Sequence, residues 1–388
     1  MKTFNAINNQ RGFTLIELFI VMAIFVIALA ISSDTFSLIL RQSVQQSKIA
    51  EVQIETTVGL NILRTDIEHA GYGLPWAFQS SISYNEAVSD TVCGGATTDP
   101  ANYNDSTGNP PRAILGGNNL CINSSDYLAI KAVNVARSDT AQRWSYIVTG
   151  SNPKTWGSED ISNGERVIVI QPSAGETTYR QLVMNGSTFY TTYSSTAFSA
   201  SFSPDDTSEM FIIYGVDSDT NLRMPFNRAD YYISTSSVPS TCASGTGVLR
   251  KAILSHASGA FPGASMLPIL DCVADMQVIY VLDMDENGTA LTSSNADGSS
   301  VSSAEGATAA TVQSTLASAE LLRKRLKEVR VYILSHEGQK DVRYTYPSST
   351  ITVGDSVLGK TFDLTAITDY QNYRWKVYPL AVKPKNLQ

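Results

Sequence analysis

Histidine and cysteine are scarce in this chain, with three His and four Cys among 388 residues. That scarcity, with no C-x-x-C pair present, excludes zinc ribbons and multi-histidine metalloenzymes. Charge is sparse as well: 16% of residues are charged, and 36 acids against 28 bases leave a formal net charge of −8. Such a balance does not suit nucleic acid, which selects basic surfaces. No G-x-S-x-G, H-E-x-x-H or dinucleotide fingerprint occurs, so no catalytic residues are nominated and the expectation is a non-enzyme. Helix breakers are missing early in the chain, where no Gly lies between Gly12 and Gly59 and no Pro precedes Pro75. What is plentiful is apolar residues (43%) and aromatics (9%), enough to exclude global disorder and to build one or two cored domains.

The apolar residues concentrate near the N-terminus. Residues Met1–Gly12 are polar, with Lys2 and Arg11 as their only charges, and residues 13–31 read FTLIELFIVMAIFVIALAI. Nineteen helical residues rise roughly 28 Å, close to the ~30 Å of a bilayer core. The positive charges precede the run, so the leader stays cytoplasmic and the remainder crosses the membrane. A cleaved secretory signal would use Ala28-Leu29-Ala30 as its A-x-A site, and a plain signal anchor would account for the length. Neither explains Glu17, because a carboxylate within a bilayer costs at least ~2.5 kcal/mol. The stretch Arg11-Gly12-Phe13-Thr14-Leu15-Ile16-Glu17 closely resembles the processing site of type IV prepilins and pseudopilins. The resemblance implies cleavage after Gly12 by a prepilin peptidase, methylation of the new N-terminus at Phe13, and pairing of Glu17 with the N-terminus of a neighbouring subunit during assembly. Physically, cleavage leaves an ammonium in apolar surroundings, and Glu17 is the nearby anion that can neutralise one.

Past the apolar run, Phe36, Leu40 and Val44, then Leu60, Leu63 and Ile67, recur at helical spacing, which extends the helix to about Ala70. Leu63-Arg64-Thr65-Asp66-Ile67-Glu68-His69-Ala70-Gly71-Tyr72 is similar to the end of the long helix in PilW-type minor pilins, with Gly71 and Gly73 as C-cap positions. His69 reads as a cap or dipole partner rather than a ligand. Beyond Tyr72, short β-branched and aromatic runs alternate with turn residues: 127–132, 143–149, 166–171, 211–215, 229–234, 276–282, 329–335 and 374–377. Segments 211–217, 229–233, 247–250, 273–278 and 326–334 extend the PilW-type resemblance. A second helix is expected over 311–327, ending in Arg323-Lys324-Arg325, and long loops over 88–119 and 289–309. The expected organisation is therefore α+β: a cleaved leader (1–12), a transmembrane and assembly helix (13–71), and an extracytoplasmic, mainly antiparallel β-rich domain (72–388).

All four cysteines follow the membrane segment, and an even number there favours disulfides. Order and spacing favour Cys93–Cys121 and Cys242–Cys272, although four cysteines allow three connectivities. Asp283-Met284-Asp285-Glu286-Asn287-Gly288 opens like a D-x-D-x-N-G calcium loop, which makes Asp283, Asp285 and Asn287 a candidate calcium set. The twelfth position is Ser294, which supplies no bidentate carboxylate, and a turn at Asn287-Gly288 is the competing reading. No other cofactor is called for.

Taken together, the resemblance implies a minor pilin subunit of a type IV pilus, acting in assembly initiation or a tip complex. Its expected partners are other major and minor pilins, the prepilin peptidase and the bacterial inner membrane, with no nucleic acid. Its expected location is the inner membrane with the domain in the periplasm, and then the filament or tip at the cell surface. A bulky domain hinders close helical packing, so a low-abundance position fits better than the shaft. The alternatives are a pseudopilin of a type II secretion system, or a tip adhesin.

Overall fold

The computed structural model describes residues 14–80, 82–93, 98–105, 108–174 and 178–387. The chain divides into two compact units, Met1–Val52 and Gln53–Gln388. A single helix, α1 (Leu15–Glu68), crosses that boundary, as the absence of Gly and Pro over most of its length allows. In the first unit, the apolar side chains of Leu15–Ile31, and of Phe36, Ile39, Leu40 and Val44 beyond them, stand exposed, Leu15 at 84% and Phe19 at 71%.

The second unit is built on two sheets and a hairpin. The larger sheet contains β2 (Ile114–Gly117), β3 (Tyr127–Ala132), β9 (Asn227–Ser234), β10 (Gly247–Ile253), β11 (Met266–Leu282), β12 (Thr292–Asn295), β13 (Val301–Ser303), β14 (Leu326–Glu337) and β17 (Arg374–Val382). Its order is β13-β12-β11-β10-β9-β3-β2, with β14 paired to β11 and β17 to β14, all antiparallel. The smaller sheet, β1 (Ala77–Phe78), β6 (Thr178–Leu182), β5 (Arg166–Ala174), β8 (Met210–Asp217) and β4 (Trp144–Val148) in that order, has β7 (Thr191–Thr192) against β5. Only β1 and β6 pair in parallel among the described strands. A separate hairpin joins β15 (Thr350–Val353) to β16 (Lys360–Asp363). The architecture is thus α+β, a long N-terminal helix followed by a mainly antiparallel, sheet-rich domain.

The core forms where the last turns of α1 meet the larger sheet. Leu63, Ile67 and Ala70 are fully buried in one cluster with Leu128, Tyr231, Leu249 and Val278. Close approach is built into the sequence at Gly59, where a Cβ would sit 1.9 Å from the carbonyl oxygen of Ile269. The smaller sheet is covered on both faces: Ile168 and Ile170 enter this cluster, whereas Val167 and Val169 enter a second one with Phe202 and Ile213. The end of α1 is tied off by the chain's own C-terminal segment. The Lys385 amide donates to the Glu68 carbonyl at 2.9 Å, and Lys385 Nζ to Glu68 Oε2 at 2.8 Å. Gly73, at φ +70°, then turns the chain where a Cβ would meet Val133 Cγ2 at 2.5 Å. His69 contacts the Asn134 amide at 3.2 Å, a helix-end partner rather than a ligand.

Two expectations differ from the structure. The segments expected as long loops contain strands, β2 within 88–119 and β12 and β13 within 289–309. Thr292–Asn295 (TSSN) has no apolar alternation, so only pairing with β11 and β13 makes it a strand. The helix expected over 311–327 is two helices, α2 (Ala309–Ala317) and α3 (Ala319–Arg325), with Leu326 and Lys327 already in β14. Ser318 breaks the run by adopting an extended conformation (φ −104°, ψ 122°) and capping α3 through Leu321 N–H. The basic triplet at that helix end is spent locally: Arg323 stacks over Trp76, Lys324 pairs with Glu320 and Arg325 with Glu286.

A low-charge chain nevertheless buries ions. Lys131 contacts Glu86 at 2.7 Å and Asp105 at 2.6 Å, and Arg228 contacts Glu86 at 3.2 Å and Asp230 at 2.7 Å. Arg112 caps the same set at Asp105, and the Tyr127 hydroxyl donates to Asp230. Three cations match three carboxylates, so no buried charge in the set goes unpaired. A second ionic contact fixes α1: Asp66, 5% exposed, lies 2.5 Å from Lys251 Nζ of β10 and accepts from Tyr231 Oη of β9 at 2.5 Å. Burial pulls the Lys251 ammonium below its ordinary range, and Asp66 opposes that.

Replacing Asp66 alone strands a buried ammonium. Asp66→Ala is expected to lower stability by about 3–5 kcal/mol in urea titrations, and adding Lys251→Met to it is expected to restore most of the loss.

Candidate functional site

Of the residues expected to direct processing and assembly, Glu17 lies in the first turn of α1. Gly12 and Phe13 fall outside the described residues. Glu17 is described, and it closes a reciprocal cap on the first turn. Thr14 N–H donates to Glu17 Oε2 at 2.9 Å, Thr14 Oγ1 donates to the same oxygen at 2.8 Å, and Glu17 N–H donates to Thr14 Oγ1 at 3.3 Å. The arrangement is a capping box, which satisfies orphan N–H groups and sets a negative charge at the positive end of the helix dipole. After Glu17 the next charged residue is Asp34, so the acid stands alone in an apolar stretch. Leu15–Val44 is long and apolar enough to cross a membrane, its most apolar 18 residues having a mean hydropathy of 2.8.

Residues 7–33 match the family model described as the prokaryotic N-terminal methylation motif. The chain carries a prepilin-type methylation motif. That motif and the apolar helix behind it fit anchoring in a membrane. No curated protein matches the chain. Among solved structures, a type IV-like pilin from Thermus thermophilus is similar over 42% of this chain and 69% of its own length, at 16% identity and a TM-score of 0.21.

Two further sets of expected residues lie in the second unit. Cys93 is joined to Cys121 and Cys242 to Cys272, closing separations of 28 and 30 residues. Loops of that size contribute about 3–4 kcal/mol each in the chain-entropy picture. His336 lies beside the second bridge, packed on Tyr373 and Trp375, where it accepts from Ala243 N–H at 2.9 Å. Burial lowers its pKa to about 4, so it is a neutral core residue at physiological pH. His256 is likewise pushed to about 4, with Nδ1 accepting from Arg223 N–H and Nε2 facing Asn227 Oδ1.

The candidate calcium set is gathered, but not as an EF-hand loop. Ser294, the twelfth position, is held in β12 opposite Tyr280 and Val301. In its place the fold brings up Glu305, so that ligand atoms of Asp283, Asp285 and Glu305 lie within 4.8 Å of one another. Sequence reading missed Glu305 because it returns to the turn only after the β12–β13 hairpin. These carboxylates already serve the turn. Asp283 accepts from the amides of Asn287 (3.1 Å) and Gly288 (2.9 Å), Asp285 from the Asn287 side chain (2.8 Å), and Glu305 from Met284 and Leu291 N–H (2.8 Å each). Asn287 thereby points its amide nitrogen at Asp285, and Lys327 Nζ stands 3.9 Å from Asp283.

The two uses of this cluster separate experimentally. Calcium held by the three carboxylates raises the melting temperature on titration to millimolar and loses that effect in Glu305→Gln, whereas a turn held by hydrogen bonds alone shows no rise. Asp283→Ala is expected to cost about 1–3 kcal/mol without added calcium, because the amides of Asn287 and Gly288 lose their acceptor.

Proposed function

We propose that this chain is a minor subunit of a type IV pilus rather than an enzyme. It enters the inner membrane through the apolar part of α1, is cut after Gly12 by a prepilin peptidase and is methylated at Phe13. Residues 13–71 serve as the membrane and assembly helix, and residues 72–388 form the periplasmic head that travels to the filament or its tip. The observation that carries this reading is the methylation motif over residues 7–33, continuous with an exposed apolar helix in which Glu17 is the single acid before Asp34.

The role of Glu17 follows from charge. Cleavage after Gly12 places an ammonium one residue before Thr14, whose own N–H already reaches the Glu17 carboxylate at 2.9 Å. An ammonium and a carboxylate confined to hydrocarbon stabilise each other strongly, and either alone is costly. A neighbouring subunit offers the same ammonium in the same surroundings, which makes Glu17 a device for setting the register between adjacent helices. Two disulfides in the head suit an oxidising compartment outside the cytoplasm. The bulk of the Gln53–Gln388 unit favours a low-abundance or tip position, because a large head crowds the repeat of a shaft.

Mass spectrometry of the subunit purified from its own membranes is expected to find N-methylated Phe13 as the first residue. An N-terminus at Ile31 would instead identify a secretory signal. With processing intact, Glu17→Ala is expected to reduce filament number and co-purification of other pilins, and unchanged filaments would refute the charge pairing.

A further inference from the structure

Strand β4 lies at the edge of the smaller sheet and carries apolar side chains that the cores do not cover. Ser145 and Ile147 are buried, while Trp144 and Val148, on the opposite face, are 43% and 38% exposed. Val148 pairs across the sheet with Met210 of β8, itself 44% exposed. The segment after β4 folds back on the strand: Lys154 N–H donates to the Tyr146 carbonyl at 2.9 Å, and Ser145 Oγ donates to the Lys154 carbonyl at 2.6 Å. Asp160 then accepts from the amides of Trp156 and, at 3.2 Å, Gly157. These bonds set Trp156, 46% exposed, 5.5 Å from the ring of Trp144 and 6.0 Å from that of Tyr146.

Trp144, Tyr146, Val148, Trp156 and Met210 therefore make one contiguous patch, held in place before any partner arrives. Trp, Tyr and Met are the residue types that concentrate at the centres of protein interfaces, where rigid aromatic rings bury much area at little entropic cost. The rim is mixed but acidic. The Asp206 carbonyl accepts from Thr149 beside Val148 and the Asp160 carboxylate accepts from the Trp156 amide, each with an exposed acid next in sequence, Asp205 and Glu159. Lys154 Nζ lies 5.9 Å from the Trp156 ring, and Arg143 precedes Trp144. Hydrogen bonds from Ser208 hold the Asp206 carboxyl below its ordinary range, so it stays anionic. A two-fold pairing with a second copy would set this rim against itself, in a chain whose net charge is already −8. Five side chains also fall well short of the roughly 20–30 residues a side that a free-standing interface uses. Such a patch suits partners already held close by another contact, where effective concentration supplies the rest.

We propose that the Trp144–Tyr146–Trp156 patch docks the head of a different subunit of the same filament, one that presents an apolar centre inside a basic rim. The proposal rests on the filament-subunit reading above, with helix packing supplying the first contact and the patch selecting the neighbour.

The test places a photo-crosslinking amino acid at Val148 and, in a separate full-length chain, at Phe36 of α1, both in cells that assemble the filament. The expected result is a Val148 adduct with a different chain that itself begins with a processed prepilin-type N-terminus. Combining Trp144→Ala with Trp156→Ala should reduce that adduct about ten-fold or more, leaving the Phe36 adducts and the melting temperature unchanged. Asp205→Lys with Asp206→Lys, which leaves the aromatic rings intact, should also reduce it several-fold, most strongly at low salt. A Val148 adduct only with a second copy, with a protein lacking a prepilin-type N-terminus, or with nothing, while Phe36 adducts form, overturns the proposal and leaves the filament reading standing. Loss of adducts at both positions overturns the two together.

Discussion

The contact on which the second unit depends is the ionic one between Asp66, in the last turns of α1, and Lys251 of β10, completed by the Tyr231 hydroxyl. Apolar packing by Leu63 and Ile67 attracts the helix to the sheet but is non-directional and tolerates sliding. A buried carboxylate tolerates no sliding, because one helical residue of displacement leaves both it and the ammonium unpaired. Gly59 adds a steric constraint of the same kind, admitting the Ile269 carbonyl where any Cβ would exclude it. Register along the helix is thus set by one charge and one missing side chain, while most of the attraction comes from the apolar face.

The same division of labour recurs in the head. The Lys131, Arg228 and Arg112 network adds little net stability over an apolar core of equal volume, yet it joins the segment around Glu86 and Asp105 to β3 and β9 in a single arrangement. The disulfides restrain the unfolded chain: Cys93–Cys121 joins an irregular segment to the β2–β3 connection, and Cys242–Cys272 ties another to β11 of the larger sheet. In a chain with so few charged residues, those that are buried act as specificity devices.

The two ends of α1 use an acid in different ways. Glu17 stands exposed in an apolar stretch and caps its own first turn, so its carboxylate is within reach of whatever cation forms at that terminus. Asp66 is sealed inside the protein and is committed to partners from the same chain. In the proposed filament, one acid would join subunits and the other joins the helix to its own head.

Much of this was legible in the residues themselves. The apolar run after Gly12, its lone Glu17, the breaker-free stretch to Gly59 and the glycines at 71 and 73 state a long N-terminal helix and its end, because helix periodicity and termination are local properties. The apolar β runs at 127–132, 166–171 and 229–234 were legible for the same reason. The polar strands β12 and β13, the break at Ser318, the arrival of Glu305 beside Asp283, and the Trp156 ring beside Trp144 were not. Each depends on which distant segment comes to lie alongside, through cross-strand pairing, a returning hairpin or a loop folded back on an edge. By itself, the sequence determined where this chain has a membrane-length helix and which residue types could be strands. Only the tertiary structure decided which ions are buried in pairs and which aromatic residues remain in water, because burial is a property of neighbours that no local pattern encodes.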